Sequence, residues 1–326
     1  GCVSGAREAA ARARRAGGAG TGMGAGMGAG GAGIYLKEGA SMVVNDSSVA
    51  GNRDFGIHSS GTGTSLTLKG SVVEQNTSSK NSDGGWSAFG VSSVEGELTV
   101  ERSAILSNEG FGVFAHEAGT TVEVLDSVIA HTNMKPDGEF GQGLHIWGGV
   151  ELTLERVAIV DNQHVGLYLA RANTKATVRS VLVSGTRALP DGTEGPGIGL
   201  REHAELLLED SAIVNNHMAA VFVITASATL RRSILSDTII SEMNLDPEFQ
   251  YGDGLLARNA TIEVEDLYAV GNTRAGFLFD TTDGVVLGNL IQNNGIGLAT
   301  QGDRVPEVSE VSLVLDNGQN NVKDAA

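Results

Sequence analysis

The chain has 326 residues, 46 of them glycine and 5 proline, with 41% hydrophobic and 5% aromatic content and a mean hydropathy of -0.00. Glycine stands well above its usual share of about 7%, yet the scarcity of proline excludes a collagen-like or Pro-rich polymer, and the apolar content suffices for a core of Val, Ile, Leu and Ala. Lys and Arg total 22 against 39 Asp and Glu, and the resulting net charge of -17 repels phosphate backbones and excludes nucleic acid as the expected partner, while the single cysteine, Cys2, excludes an intrachain disulfide or a cysteine metal cluster.

Residues 1–30 are of low complexity. Ala6 to Ala16 is a strong helix former and a candidate N-terminal cap, and Gly17 to Gly33 reads as a flexible Gly/Ala/Met linker. Cys2, after Gly1, resembles the residue left by bacterial lipoprotein processing and is a candidate lipid anchor, with no hydrophobic signal segment before it. Apolar runs such as Ala219–Ile224 are far too short to cross a bilayer, so no membrane-spanning segment is expected.

From residue 31 a repeat begins. A turn-like column reads Asp46, Gly70, Arg102, Asp126, Arg156, Ser180, Asp210, Arg232, Asp266, Asn289. Six residues downstream a second column reads Asn52, Asn76, Asn108, Thr132, Asn162, Thr186, Asn216, Thr238, Asn272, and departs from the pattern at Gly295. Between the columns lie three short runs with period-two alternation, for example 112–115, 121–124 and 128–130. One such unit cannot close a core, but stacked units pair each strand with its equivalent about 4.8 Å away. Opposite charges then become neighbours along Arg102, Asp126, Arg156 and along Asp210, Arg232, Asp266, a device for register more than for stability.

Every second unit carries an insertion, after Asn76, Thr132, Thr186 and Thr238, always at the same corner. Four of the five prolines (Pro136, Pro190, Pro196, Pro247) fall inside these insertions, as exclusion from ladder strands requires. Four similar loops are therefore expected in a row along one edge.

The Gly-x-Gly-Ile-x-Leu starts (Gly31 to Leu36, Gly195 to Leu200), the polar turn and the closing Asn (Asn52, Asn108, Asn216) resemble the right-handed parallel β-helix, pectate-lyase-like proteins. The resemblance implies an all-β, single-stranded right-handed parallel β-helix solenoid of about ten to eleven coils with three short strands each. It would span 31–302, with a last strand and a frayed tail over 303–326. It is specific for fold and weak for function, because that architecture carries many activities.

In the strand that opens each unit, Val113 and Ala115, Leu144 and Ile146, Leu167 and Leu169, Val221 and Val223 point inward. Their neighbours form an outward face rich in rings for a chain that has so few. Tyr35, His58, Phe114, His116, His145, Trp147, Tyr168, Phe222 and Arg258 are the candidate carbohydrate-binding residues, either exposed as a groove or covered by the inserted loops. In the resembled family this strand face is the usual carbohydrate groove. His145, Tyr168 and Arg201 on three consecutive coils resemble the parts of a polysaccharide lyase, Arg neutralising a uronate and Tyr or His removing the α proton. Paired carboxylates suited to glycoside hydrolysis do not stand out. Asp137 and Glu139, Asp191 and Glu194, Asp246 and Glu248 recur in the inserted loops as candidate calcium ligands. His131, His164, His203 and His217 lie at turns and carry no expected role. The reading is a secreted or cell-surface protein that binds polysaccharide or serves as a scaffold, with a lyase acting on a uronate-containing glycan as the alternative.

Overall fold

The computed structural model describes residues 31–80, 86–240, 251–309 and 311–323. The segment 1–30, with Cys2 and the expected cap, and the acidic pair Asp246 and Glu248 lie outside the described residues.

The described residues form strands and no helix. Three parallel sheets contain 12, 11 and 11 strands, and each coil contributes one strand to each of them. The strand Phe111–His116 pairs with Phe89–Val94 of the coil before and Gln142–Trp147 of the coil after. Thr121–Leu125 and Val128–Ala130 pair in the same way in the second and third sheets. About eleven coils of three short strands result, as the repeat predicts. Strand pairing continues past Gly302, through Glu307–Val308, Leu313–Leu315 and Gln319–Lys323. The predicted inward residues Val113, Ala115, Leu144, Ile146, Leu167, Leu169, Val221 and Val223 are all 0% exposed, in one apolar core that runs the length of the solenoid.

The corners turn on residues in the left-handed region, one per coil from Asp46 to Gly288 between the second and third sheets and two in several coils after the first-sheet strand, as at Glu202 and His203. Glu95, Glu117 and Glu202 take this geometry after the first-sheet strand, and Ser107, His131 and Asp161 after the third-sheet strand. The predicted turn column, Asp46 to Asp266, forms the corner between the second and third sheets. Its last member is a correction: Gly288, at φ 65°, makes the turn, and Asn289 follows it. The same one-residue offset explains the apparent break at Gly295, because Asn294 and Asn317 continue the Asn column.

Left-handed geometry costs a non-glycine residue about 1–2 kcal/mol. Side-chain ladders at the corners offset it by satisfying backbone groups that the turns leave unpaired. Asn52 N–H donates to Asn76 Oδ1 (3.0 Å), Asn76 N–H to Asn108 Oδ1 (3.1 Å), Thr132 N–H to Asn162 Oδ1 (2.9 Å) and Thr186 N–H to Asn216 Oδ1 (3.0 Å). The series ends with Asn272 N–H on Asn294 and Asn294 N–H on Asn317, each at 2.9 Å. A second ladder, of serines, was not anticipated: Ser71 N–H donates to Ser103 Oγ at 3.1 Å and Ser103 N–H to Ser127 Oγ at 3.0 Å.

The charged ladder forms in part. Arg156 grips Asp126 with two bonds of 2.6 and 3.0 Å, and Arg232 grips Asp210 with bonds of 2.8 and 3.1 Å. Arg102 bonds instead to its neighbour Glu101.

Two of the four inserted loops are described in full, and they are equivalent. Lys135 N–H donates to Glu139 O at 3.0 Å in one, Leu189 N–H to Thr193 O at 2.9 Å in the other. Gly138 and Gly192 take φ of 84° and 81° at the matching turn. Residues 79–80 and 86–87 of the first insertion pair as a short antiparallel hairpin.

Candidate functional site

The outer face of the first sheet carries the predicted columns in register. Tyr35 lies beside His58, His58 beside Ser92, Phe114 beside His145, His145 beside Tyr168, Tyr168 beside Gly199 and Gly199 beside Phe222. The neighbouring column brings together His116 and Trp147, then Ala170, Arg201, Ile224, Arg258 and Asp280.

A third outward column was missed. Phe55, Phe89 and Phe111 stack at ring separations of 5.0 and 5.3 Å with planes within 14° of parallel. Strict alternation counted back from Val113 would turn Phe111 inward. Gly112 breaks the alternation because its own missing side chain faces the corner, where a Cβ would lie 3.0 Å from Thr132 Oγ1. Each such glycine returns the residue before it to the outer face.

The rings therefore form a continuous cluster. Tyr35 and His58 stack at 4.9 Å, Phe114 and His145 at 5.4 Å, and His145 and Tyr168 approach at 5.0 Å. Phe140, from the loop after Thr132, closes one side against Phe111 at 4.8 Å. Trp147 sits with His116 4.6 Å from its ring and the Arg171 guanidinium 4.2 Å above it. Because side chains stack along the solenoid axis, ring faces are largely spent on one another, and Trp147 Nε1 is buried without a hydrogen-bond partner.

Tyr168 leans over Gly199, where a Cβ would lie 3.6 Å from Tyr168 Cδ2. Beyond this point the face changes character. Phe222, Leu256 and Leu278 are 5%, 1% and 7% exposed and form a second small apolar cluster with Ala219, Ala275 and Ala299. At the boundary lies a cavity of about 340 Å³, lined by Glu194, Arg201, Met218, Phe222, Tyr251 and Arg258 among others. The face is thus open on its aromatic half and closed on its aliphatic half, with Phe222 and Arg258 at the cavity between them.

A hydrogen-bonded chain links the two halves. His145 Nδ1–H donates to Gln142 Oε1 (2.6 Å), and Gln142 Nε2 donates to His164 Nδ1 (3.3 Å). His164 Nε2 faces Glu194 Oε2 at 3.7 Å, and Arg201 donates to Glu194 Oε1 at 3.3 Å. The sequence reading gave His164 no role and did not single out Gln142, which is the next member of the missed column. Burial, reinforced by His164 and His116, lowers the His145 pKa to about 3, and burial beside Lys37 lowers that of His58 to about 4. Burial also raises Tyr168. Burial works to raise Glu194, but His164 and Arg201 beside it hold it below the usual carboxylate range.

The structure brings His145, Tyr168 and Arg201 onto consecutive coils, but their protonation states are poorly matched to removing a proton α to a carboxylate. An imidazole near 3 is a weak base, a buried phenol is reluctant to ionise, and Arg201 is engaged by Glu194.

The calcium expectation is corrected for the described loops. Lys135, nearly buried, holds its ammonium 3.2 Å from Asp137 and 3.5 Å from Glu139, so an internal cation already neutralises both. Asp191 accepts the Thr193 N–H (2.9 Å) and hydroxyl (2.6 Å), and Glu194 serves Arg201. Among the described residues no three acidic or histidine side chains converge as a metal would need.

The sequence family described as "Right handed beta helix region" matches residues 25–183. No curated protein sequence matches the chain. Among solved structures, the periplasmic alginate epimerase AlgG is similar with a TM-score of 0.50 at 10% identity, over 89% of this chain and 80% of that one. Pectate lyase Pel9A gives 0.44 at 14% identity over 79% and 72%, and the Dettilon tailspike protein 0.44 at 11% over 89% and 61%. At such identities the likeness is one of fold alone. Three in-register parallel sheets, left-handed corners and the sequence-family match lead to one conclusion: the chain is a right-handed parallel β-helix protein.

Proposed function

We propose that this is an exported, non-catalytic β-helix protein that binds polysaccharide along the outer face of its first sheet. The observation that carries the reading is the unbroken cluster from Tyr35 to Tyr168, a row of mostly half-buried rings, imidazoles and phenols beside the inserted loops. Neutral His58 and His145 offer ring nitrogens as acceptors and donors to sugar hydroxyls without a net charge, and ring edges give flat apolar contact. Similarity of fold to an alginate epimerase supports a polysaccharide as the partner without assigning a reaction.

Trp147→Ala and Tyr168→Ala should each weaken retention on a glycan array at least tenfold, about 1.4 kcal/mol. Thr153→Ala, on the outward column of the second sheet, should leave it unchanged. Unaltered retention by folded Trp147→Ala and Tyr168→Ala proteins would reject the site. The lyase alternative makes an opposite demand: ultraviolet absorbance of an unsaturated product from a uronan panel. We expect none.

A further inference from the structure

The third sheet presents a different outer surface. Its strands are three residues long, so two residues per coil point outward, and Leu106, Val128, Val160, Leu182, Val214 and Ile234 are typical of them. Glu74 is the one charged residue at these positions among the described strands. The second sheet, built from the same coils, is different: its outward positions carry ion pairs such as Lys175 with Glu205 and Arg179 with Glu209. Three apolar strands in succession could be chance, but an apolar stripe sustained over eleven strands is a surface property.

Eleven strands at about 4.8 Å give a stripe roughly 50 Å long, and three residues at about 3.3 Å make it roughly 10 Å wide. Its area is then about 500 Å² per copy, and pairing two copies would bury about 1,000 Å², the lower bound of a specific interface before its rims are counted. A straight stripe of this length is matched end to end by another rod of the same length.

The rim of the stripe, at the corner between the second and third sheets, shows which way a second rod would lie. Taking coils outward from the strand Leu182–Ser184, the rim residues on one side are Arg156, Asp126 and Arg102, and on the other Asp210, Arg232 and Asp266. The signs are opposite at every step, and Ser180 at the centre is uncharged. A two-fold axis along that central strand therefore sets Arg156 against Asp210, Asp126 against Arg232 and Arg102 against Asp266 of the other copy, twice over. The opposite rim contributes His131 against Asp237 and places no like charges together. Within the chain Arg156 already holds both Asp126 and Glu155, and Arg232 both Asp210 and Glu209, so the contact joins two such triads in reversed order and gives each arginine an aspartate of the other copy.

We propose that the outer face of the third sheet is the interface of an antiparallel, two-fold symmetric dimer of this chain, centred on Leu182–Ser184. Such an interface is isologous, each residue at coil distance n from the centre meeting the residue at distance −n. The first sheet, on another side of the coil, stays uncovered.

Sedimentation equilibrium of the full chain should give twice 33.6 kDa. Leu182→Glu, a half-buried outward position whose carboxylate would be desolvated only in the dimer, should return the mass to that of one chain with an unchanged circular dichroism spectrum. In a Cys2→Ser background, Ser184→Cys should cross-link to itself through a short bismaleimide, since both copies of this residue lie at the axis. Thr153→Cys on the second sheet should not. The proposal is overturned by a wild-type protein that stays monomeric up to 100 μM in roughly physiological salt, by a Leu182→Glu dimer, or by cross-linking through Thr153→Cys in place of Ser184→Cys. A monomer that binds phosphatidylcholine/phosphatidylglycerol vesicles through this face, losing them on Leu182→Glu, would equally overturn it.

Discussion

Gly143→Ala should lower stability by about 3 kcal/mol, read as a shifted urea midpoint with little change in slope. The residue opens a first-sheet strand at the point where the chain leaves the Asn corner. A Cβ there would lie 2.5 Å from Gly166 O, 2.9 Å from Asn162 Nδ2 and 3.0 Å from Ile159 Cγ2. None of these atoms can retreat cheaply. Gly166 O belongs to the coil ladder, and Asn162, itself 0% exposed, satisfies the Thr132 N–H and the Ile129 carbonyl. The same arrangement recurs at Gly56 and Gly90, where a Cβ would meet the next coil's glycine oxygen at 2.5 and 2.6 Å and the corner Asn at 2.6 and 2.7 Å.

One coil tests the idea within the wild-type chain. Ala220 occupies this column, between Gly197 and Gly254, and its corner residue is Thr238 in place of Asn. A Thr corner alone does not make room for a methyl group, because at Gly166, opposite Thr186, a Cβ would still lie 2.5 Å from Gly197 O and 2.7 Å from Val183 Cγ1. Gly166→Ala should accordingly cost about as much as Gly143→Ala. A neutral result at both positions would remove crowding as the reason for the glycine column.

The coil, the inward rows and the register were legible because each depends on a period that survives in one sequence: two along a strand, and about two dozen residues between coils. Asn and Thr at the corner were visible because buried amides there have one arrangement that satisfies the backbone. The aromatic face was half legible. His145, Tyr168 and Phe114 follow strict alternation, whereas Phe55, Phe111 and Gln142 sit one residue before the glycine that interrupts it, so a period-two count turns them inward. Their recurrence at the same distance before the glycine was the signal available. In the two loops described in full, the calcium reading is corrected for another reason. Acidic residues repeat in the loops, but Lys135 and Thr193 reach back to them from within the same loop, a contact that column spacing does not reveal. The apolar outer face of the third sheet is plain in sequence only once the left-handed corners establish which two residues of each three-residue strand point outward.

Acidification from pH 7 to pH 5 should destabilise the protein by up to about 4 kcal/mol, about 2 kcal/mol for each of His58 and His145. Burial beneath the ring cluster lowers both folded-state values, to about 4 and about 3, from an ordinary 6.5. Between those limits the unfolded chain takes up protons that the folded protein refuses, so the unfolded state binds more protons and stability falls as pH falls. The stabilisation is present in full above pH 6.5, declines from there, and levels off only when the folded imidazoles themselves protonate near pH 4 and 3. Carboxylates titrate mostly below this window, so between pH 7 and pH 5 the slope belongs mainly to histidine. His145→Gln should flatten the dependence by about half whatever it does to absolute stability, and His58→Gln should remove much of the remainder. An imidazole titration near 6.5 for His145 in the folded protein, or a stability profile unchanged by both substitutions, would show that the ring cluster admits water and that its tips are solvated. The same titration bears on binding: neutral acceptors on the open half of the face persist to about pH 4, so glycan retention should hold from pH 7 to pH 5 even as the fold loses stability.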